Sequence, residues 1–387
     1  MQALDGIRVL DFTQMMLGPY GTQLLADLGA DVIKVERAEG EWERSLEMMG
    51  ELVGGESAAF LAMNRNKRSV AIDLKNPLAR EALLKLGASC DVIVENFRPG
   101  VLAKLGLGYE DFKAVKPDII FCSGSGWGQD TTFARENRPG QDLLIQAMSG
   151  LAAATGRRSD PPTPAGTAIV DHATALMLAN GILAALLARN THGVGQRVEV
   201  DLYSTAIAMQ CQEISTFVNQ KKDYERSEEG IGQAWLSAPF GIYSASDGWI
   251  AVAMAPLAKI ADVVGEDTLL HLDAWLQRDD VKRQVQQALN QHPVQYWLEQ
   301  FSARGLWAAR VRTTREAVDE LRADGSDLIV NVDGPNGEPI ELIGCAIRMS
   351  ETPWQQRLAP PRVGEHNVEV LSEVLTAEEL SELNEPV

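Results

Sequence analysis

IRVLDFTQMMLGPYGTQLLADLGADVIKVE, residues 7–36, reads as strand, turn, helix and strand. Ile7 to Phe12 is a short run of β-prone residues. Gly18-Pro19-Tyr20-Gly21 breaks it, with Pro19 suited to a first helical turn. Thr22 to Leu28 has helical spacing, and Gly29 stands where a helix ends. Asp31 to Glu36 is a second strand. Two strands joined by a helix within about thirty residues imply a parallel pair and a right-handed crossover.

The alternation continues along the chain. Ser69–Leu74 reads as a strand, Pro77–Leu86 as a helix, and Asp91–Glu95 as a strand. Pro117–Cys122 is another strand, running into Ser123-Gly124-Ser125-Gly126. This order predicts a doubly wound α/β domain around a parallel sheet. A helix is expected over Leu143–Ala154, then a loop over Arg157–Gly166. Thr167–Val170 looks strand-like, and a long helix follows from Asp171 to Arg189. Gln196–Leu202 alternates as a strand does. The charged stretch Gln220–Gly230 reads as a linker. Phe240–Ala253 reads as a hairpin turning at Asp247-Gly248. Helical segments follow to about Gly305, Gly334–Gly337 is a further turn, and Glu365–Leu383 is an acidic helical tail.

The chain has 387 residues, which is long for one core, so two lobes are expected. Hydrophobic residues make 45% and charged residues 23%, the balance of an ordinary globular protein. There are 54 acidic and 35 basic side chains, a net charge of −19. Such a surface repels phosphate backbones and anionic membranes, which argues against both as partners. Four dispersed cysteines without a CxxC pair, and a start without a signal-like apolar run, point to a soluble cytoplasmic protein.

Several site types fail on spacing. The turn Leu17-Gly18-Pro19-Tyr20-Gly21 lacks the GxGxxG that brings backbone N–H groups to a dinucleotide pyrophosphate. The five histidines show no HExxH or HxH spacing, so no metal site is expected. Gly124-Ser125-Gly126 is not a hydrolase elbow, and reads instead as a strand end where a ligand can approach the backbone. His366 reads as structural. Asp171 and Asp142 each open an expected helix, so each reads first as an N-cap. A carboxylate there would be kept ionised by the helix dipole, and an ionised carboxylate can be a nucleophile.

Six stretches together resemble the class III CoA-transferases, the family of formyl-CoA and carnitine CoA-transferases. They are residues 6–37, NRNKRSVAIDLKNP, DVIVENFRPGVLAKLGLGYEDF, RPGQDLLIQAMSGLAAATG, residues 161–207, and APPRVGEHNVEVL. The match is weak between about Gln210 and Pro353. The resemblance implies a Rossmann-like large domain, a smaller α+β domain and an interlocked homodimer. It places the large domain over residues 1–218 and 326–387, a linker over 219–232 and the small domain over 233–325.

The resemblance also implies chemistry. Asp171 would attack an acyl-CoA, forming an aspartyl anhydride and then an aspartyl-CoA thioester, from which CoA passes to a small carboxylic acid. No tightly bound cofactor is implied, since CoA is a substrate. Met16, Leu17, Arg37, Ile72, Asp73, Leu74, Lys75, Asn96, Phe97, Arg98, Lys104 and Gly140 match CoA-contacting positions, and Gln141 and Asp142 match the stretch near the thioester. Met16 replaces a glutamine of the formyl-CoA enzymes, and the glycine-rich loop of the oxalate-specific relatives is missing, which points away from formyl-CoA and oxalate. Trp127, Trp235 and Arg65 are candidates to line the acceptor pocket. The alternative within the family is α-methylacyl-CoA racemisation, which needs a histidine base where Gln141 stands. A non-catalytic CoA-binding scaffold is the third reading. Arg37, Lys75, Arg98 and Lys104 should then form a positive patch on the acidic surface.

Overall fold

The computed structural model describes residues 1–383. They fall into two compact units, one of residues 1–145, 168–205 and 325 onward, the other of residues 146–167 and 206–324.

The first unit is built on six strands: β1 (Arg8–Asp11), β2 (Asp31–Glu36), β3 (Lys67–Ala71), β4 (Val92–Glu95), β5 (Ile120–Ser125) and β6 (Gln196–Asp201). All are parallel, in the order β3-β2-β1-β4-β5-β6. The chain works outward from β1 to β3, then returns past β1 to β4 and works outward the other way. Leu10 on β1 therefore sits opposite both Ile33 and Ile93. Strands β1, β2 and β4 are almost wholly buried, as in a sheet covered on both faces.

Four helices position the site: α1 (Leu17–Asp27), α2 (Pro77–Ala88), α3 (Asp142–Met148) and α4 (Ile169–His192). Asn76 caps α2 by accepting from the Leu78 N–H at 2.9 Å, with Pro77 in the first turn. Small residues let α1 and α4 meet closely: a Cβ at Gly21 would lie 3.0 Å from the Ala175 carbonyl oxygen. Leu10, Ile33, Leu83, Ile93 and Phe121 form the core, joined from the far end of the chain by Val370 and Leu371. Each such side chain contributes about 1.5–3 kcal/mol by burial. His366 is structural: its Nδ1 lies 3.2 Å from the Ser69 N–H, and its own N–H donates to the Ser69 carbonyl at 3.0 Å. A hairpin of Ile329–Asp333 with Pro339–Ile343 completes the unit.

Three elements differ from the sequence expectation. Helix α1 starts at Leu17, so Gly18 and Pro19 lie inside it. The first-turn N–H groups have no helical partners, so a proline there loses nothing. The single helix expected over 143–154 is broken: α3 ends at Met148, Gly150 turns with φ of 86°, and a short helix resumes at Leu151. Thr167–Val170 is not a strand, because Ile169 and Val170 already belong to α4, which runs for 24 residues.

The second unit holds an antiparallel sheet of β7 (Gly241–Ala245), β8 (Gly248–Val252) and β9 (Ala308–Arg310). Tyr243, Ile250, Val285, Trp297 and Phe301 fill its core. Residues 146–167 belong here, although the sequence reading kept them with the first lobe, and the later break falls at 206 rather than 219. Ion pairs explain the first difference. Arg158 pairs with Glu225 at 2.7 Å and with Glu228 at 3.1 Å. Arg226 donates to the carbonyls of Thr155 and Asp160, both at 2.7 Å. The stretch read as a linker is thus folded against residues 155–160.

Candidate active site

In a doubly wound sheet the carboxyl ends of the strands share one edge, and ligands bind where the strand order reverses. Here that crevice lies between β1 and β4. The turn after β1 is held by buried charges. Asp11 accepts from the Thr13 N–H at 2.9 Å, the Thr13 hydroxyl at 2.5 Å, the Thr22 hydroxyl at 2.6 Å and Lys67 Nζ at 3.2 Å. Lys34 Nζ donates to the Thr13 carbonyl at 3.0 Å, and Lys67 Nζ to the Pro19 carbonyl at 2.9 Å. Met15, between them, has φ of 64°, a conformation that bulky side chains rarely adopt. Across the crevice, Asn96 Oδ1 accepts from the Gln14 N–H at 2.9 Å and Asn96 Nδ2 donates to the Gln14 carbonyl at 2.7 Å. The Asn96 amide is therefore engaged with backbone and fixes the turn.

A cleft opens beside this crevice, lined among others by Asn96, Phe97, Arg98, Trp127, Arg138 and Gly140. Trp127 Nε1 donates to the Pro139 carbonyl at 3.2 Å, and its ring packs on Phe133 and Tyr203. Gly126 and Gly140 meet backbone to backbone: a Cβ on either would lie 2.5 Å from the other's Cα. Glu95 Oε2 accepts from the Phe97 N–H at 2.9 Å. Burial pushes the Glu95 carboxyl up to about 7, against the hydrogen bond from Ser123.

Helix α4 leads into β6, so its N-terminus lies at the same carboxyl edge of the sheet. Asp171 is its third residue and is half-buried. It is not the cap that its position suggested. Residue Ala168 occupies the cap position and offers no side-chain acceptor. Asp142 Oδ1 instead accepts from the N–H groups of Val170 at 2.8 Å and Asp171 at 3.1 Å. Asp142 thus caps α4 from another helix and leaves the Asp171 carboxyl unused for capping. Burial first, and the neighbouring Asp142 charge second, push Asp171 up to about 7. The dipole was expected to keep it ionised. A helix N-terminus contributes about 0.3–1 kcal/mol at an exposed site, less than desolvation costs here. His172 points elsewhere: its Nδ1 lies 2.9 Å from the Ala168 carbonyl oxygen and its ring meets Tyr20 edge-on.

The structure draws together Asp142 with Asp171, and Asn96, Phe97, Arg98 and Gly140 in the cleft. Gln141 is exposed just before α3. Met16 is half-buried at the start of α1, and Leu17 is buried. Ile72 belongs to the core, Leu74 packs on it, and Asp73 accepts from the Lys75 N–H at 2.9 Å. Arg37, Lys75, Arg98 and Lys104 are exposed and make no ion pair among the described residues. Arg37, Lys75 and Arg98 follow β2, β3 and β4, and Lys104 ends the short helix Val101–Lys104, but of the four only Arg98 lines the cleft. Arg65 cannot line a pocket: it is 1% exposed and its guanidinium is bound to Asp27, with Nε 3.0 Å from Oδ1. Trp235 lies in the second unit, its ring against Tyr224. Asn137 and Arg138 line the cleft and were not foreseen. The Arg138-Pro139-Gly140 run before a helix was the available signal.

This strand order, with a cleft and an unspent carboxyl at its carboxyl edge, defines a doubly wound α/β protein. The chain belongs to CoA-transferase family III, whose sequence model matches residues 4–367. It is 31% identical to succinyl-CoA:glutarate CoA-transferase of Mus musculus, over 98% of this chain and 88% of that one. It is 33% identical to succinyl-CoA:mesaconate CoA-transferase of Haloarcula hispanica, over 96% of each. The crystal structure of Rv3272 from Mycobacterium tuberculosis superposes with a TM-score of 0.81 at 30% identity, covering 96% of this chain and 99% of that one.

Proposed function

We propose that this enzyme transfers CoA between carboxylic acids through covalent intermediates on Asp171. The ionised carboxylate adds to the thioester carbonyl, the C–S bond breaks, and CoA leaves as thiolate. The thiolate then attacks the Asp171 carbonyl of the mixed anhydride, releasing the donor acid and leaving an aspartyl-CoA thioester. The acceptor carboxylate attacks that thioester, and the freed thiolate attacks the acceptor acyl carbon, regenerating Asp171. One thioester replaces another, so the exchange is nearly isoenergetic and needs no ATP. CoA comes and goes as substrate.

One observation carries this reading. The Asp171 carboxyl stands at the sheet's carboxyl edge with its capping duty taken over by Asp142. The relatives that act on glutarate and mesaconate favour a short dicarboxylic acid as acceptor and succinyl-CoA as a donor. Gln141 in place of a histidine base speaks against racemisation. Leu143, Leu144, Leu176, Met177 and Leu187 are left exposed on α3 and α4, which favours a homodimer, interlocked as the family resemblance implies. The buried free thiols Cys90, Cys122 and Cys345 suit a reducing cytoplasm.

The test is hydroxylamine trapping after addition of succinyl-CoA. A hydroxamate at Asp171, found by peptide mass spectrometry and absent in Asp171→Ala, is expected. An adduct at another carboxylate, or undiminished transfer by Asp171→Ala, would refute the mechanism.

A further inference from the structure

Strand β4 ends on an acid. Val92, Ile93 and Val94 are wholly buried, and Glu95 follows them at 6% exposure, opposite Ser123 on β5. The chain then turns through Asn96, Phe97 and Arg98, and every part of that turn is tied. The Phe97 N–H donates to Glu95 Oε2 at 2.9 Å, and no other acceptor takes it among the described residues. Asn96 is spent on the N–H and carbonyl of Gln14, and the Phe97 ring packs on the core. The Arg98 carbonyl accepts from the Val101 N–H at 3.1 Å. The Arg98 side chain is left exposed and lines the cleft with Arg138, and no acid lines it among the described residues. On a chain of net charge −19, a cleft with two guanidinium groups and no carboxylate suits an anion.

An apolar side chain would continue the buried run of β4 at less cost than a carboxyl does. Burial pushes Glu95 up to about 7, so the fold gains nothing from its charge. What an apolar residue could not do is accept the Phe97 N–H. That bond fixes the peptide plane one residue before Arg98, and so fixes the direction in which Arg98 leaves the turn.

We propose that Glu95 is a positioning residue for acyl-CoA, whose hold on the Phe97 N–H keeps the turn in the shape that sends Arg98 into the cleft to meet a CoA phosphate. This rests on the reading of the protein as a CoA-transferase that binds CoA at this cleft. Glu95 itself is buried and touches no substrate. It acts through the backbone of Phe97 on Arg98, and its effect belongs to binding rather than to the chemical step at Asp171.

The experiment measures kcat and KM for succinyl-CoA, and calorimetric CoA binding, in wild type, Glu95→Gln, Glu95→Met, Arg98→Ala and the double variant Glu95→Met with Arg98→Ala. Glu95→Gln keeps an oxygen for the Phe97 N–H and an amide that can donate to Ser123, so its CoA affinity should stay within about twofold of wild type. Glu95→Met keeps the length and the burial but removes the acceptor. Its Kd for CoA and KM for succinyl-CoA should rise about tenfold, with kcat within about twofold. Both variants lose the charge, so a weakening shared equally by the two would belong to charge and overturns the proposal. So does a fall in kcat at unchanged KM. In the Arg98→Ala background, Glu95→Met should weaken binding by less than about twofold, because the side chain it positions is gone. A full tenfold added there, or Arg98→Ala binding CoA as tightly as wild type, overturns the proposal. Glu95→Met should melt within a few degrees of wild type, and a variant that fails to fold would make Glu95 a structural residue and overturn the proposal too. Wild type that binds no CoA would instead sink the reading of the cleft, whatever Glu95 does.

Discussion

Replacing Asp171 by Asn tests both its chemistry and its electrostatics. The side chain keeps its size and loses its charge. In the folded chain the carboxyl is raised from its ordinary 3.8 to about 7. At 1.36 kcal/mol per unit this sets a ceiling of about 4 kcal/mol. Asp171 is half-buried, so solvent screens part of this, and about 2 kcal/mol is the expected effect. The sign follows from proton binding. Between 3.8 and about 7 the folded state holds a proton that the unfolded state has lost, so wild-type stability falls as pH rises. Above the folded value the penalty is complete and constant. Asp171→Asn never pays it. The variant should melt within a degree or so of wild type near pH 4 and about 4–8 °C above it at pH 8. Thermal denaturation at fixed ionic strength measures this, and a transfer assay on the same samples should show no turnover. An advantage equal at pH 5 and pH 8 would refute the electrostatic reasoning.

Asp142→Asn keeps an oxygen acceptor for the Val170 and Asp171 N–H groups but removes the charge beside Asp171. The rising limb of kcat/KM against pH should therefore move to lower pH, and an unmoved limb would exclude coupling. Asp142→Ala also strips the acceptor, and should cost about 1–3 kcal/mol in denaturant unfolding. Asn96→Ala frees the Gln14 backbone, and should raise KM for acyl-CoA several-fold with the chemical step less affected. Gly126→Ala puts a methyl 2.5 Å from the Gly140 Cα, and should weaken CoA binding in calorimetry more than Ala replacement at Asn137.

Much of the fold was legible because parallel strands buried on both faces carry unbroken apolar runs, as β1, β2 and β4 do. Helix boundaries were less legible. Gly18-Pro19 looks like a break in a sequence, yet a first helical turn tolerates both. Asp142 and Asp171 were each placed at the site by resemblance alone, and local pattern misassigned Asp171 as the cap of its own helix. Capping by a residue from a distant helix leaves no periodic trace. Arg65 looked available because an arginine's buried partner, Asp27, stands far away in the chain.

The closure of the first unit by Val370, Leu371 and the His366–Ser69 pairing bears on how the chain is made. All six strands of the sheet have left the ribosome once residue 201 is out, but the residues that cover one part of its core follow the entire second unit. At about 5–20 residues per second, the nascent sheet waits roughly ten to thirty seconds with apolar surface uncovered. The second unit has its own core and can fold in that interval. The period of greatest exposure to chaperones and to misassembly is therefore built into the order of the segments.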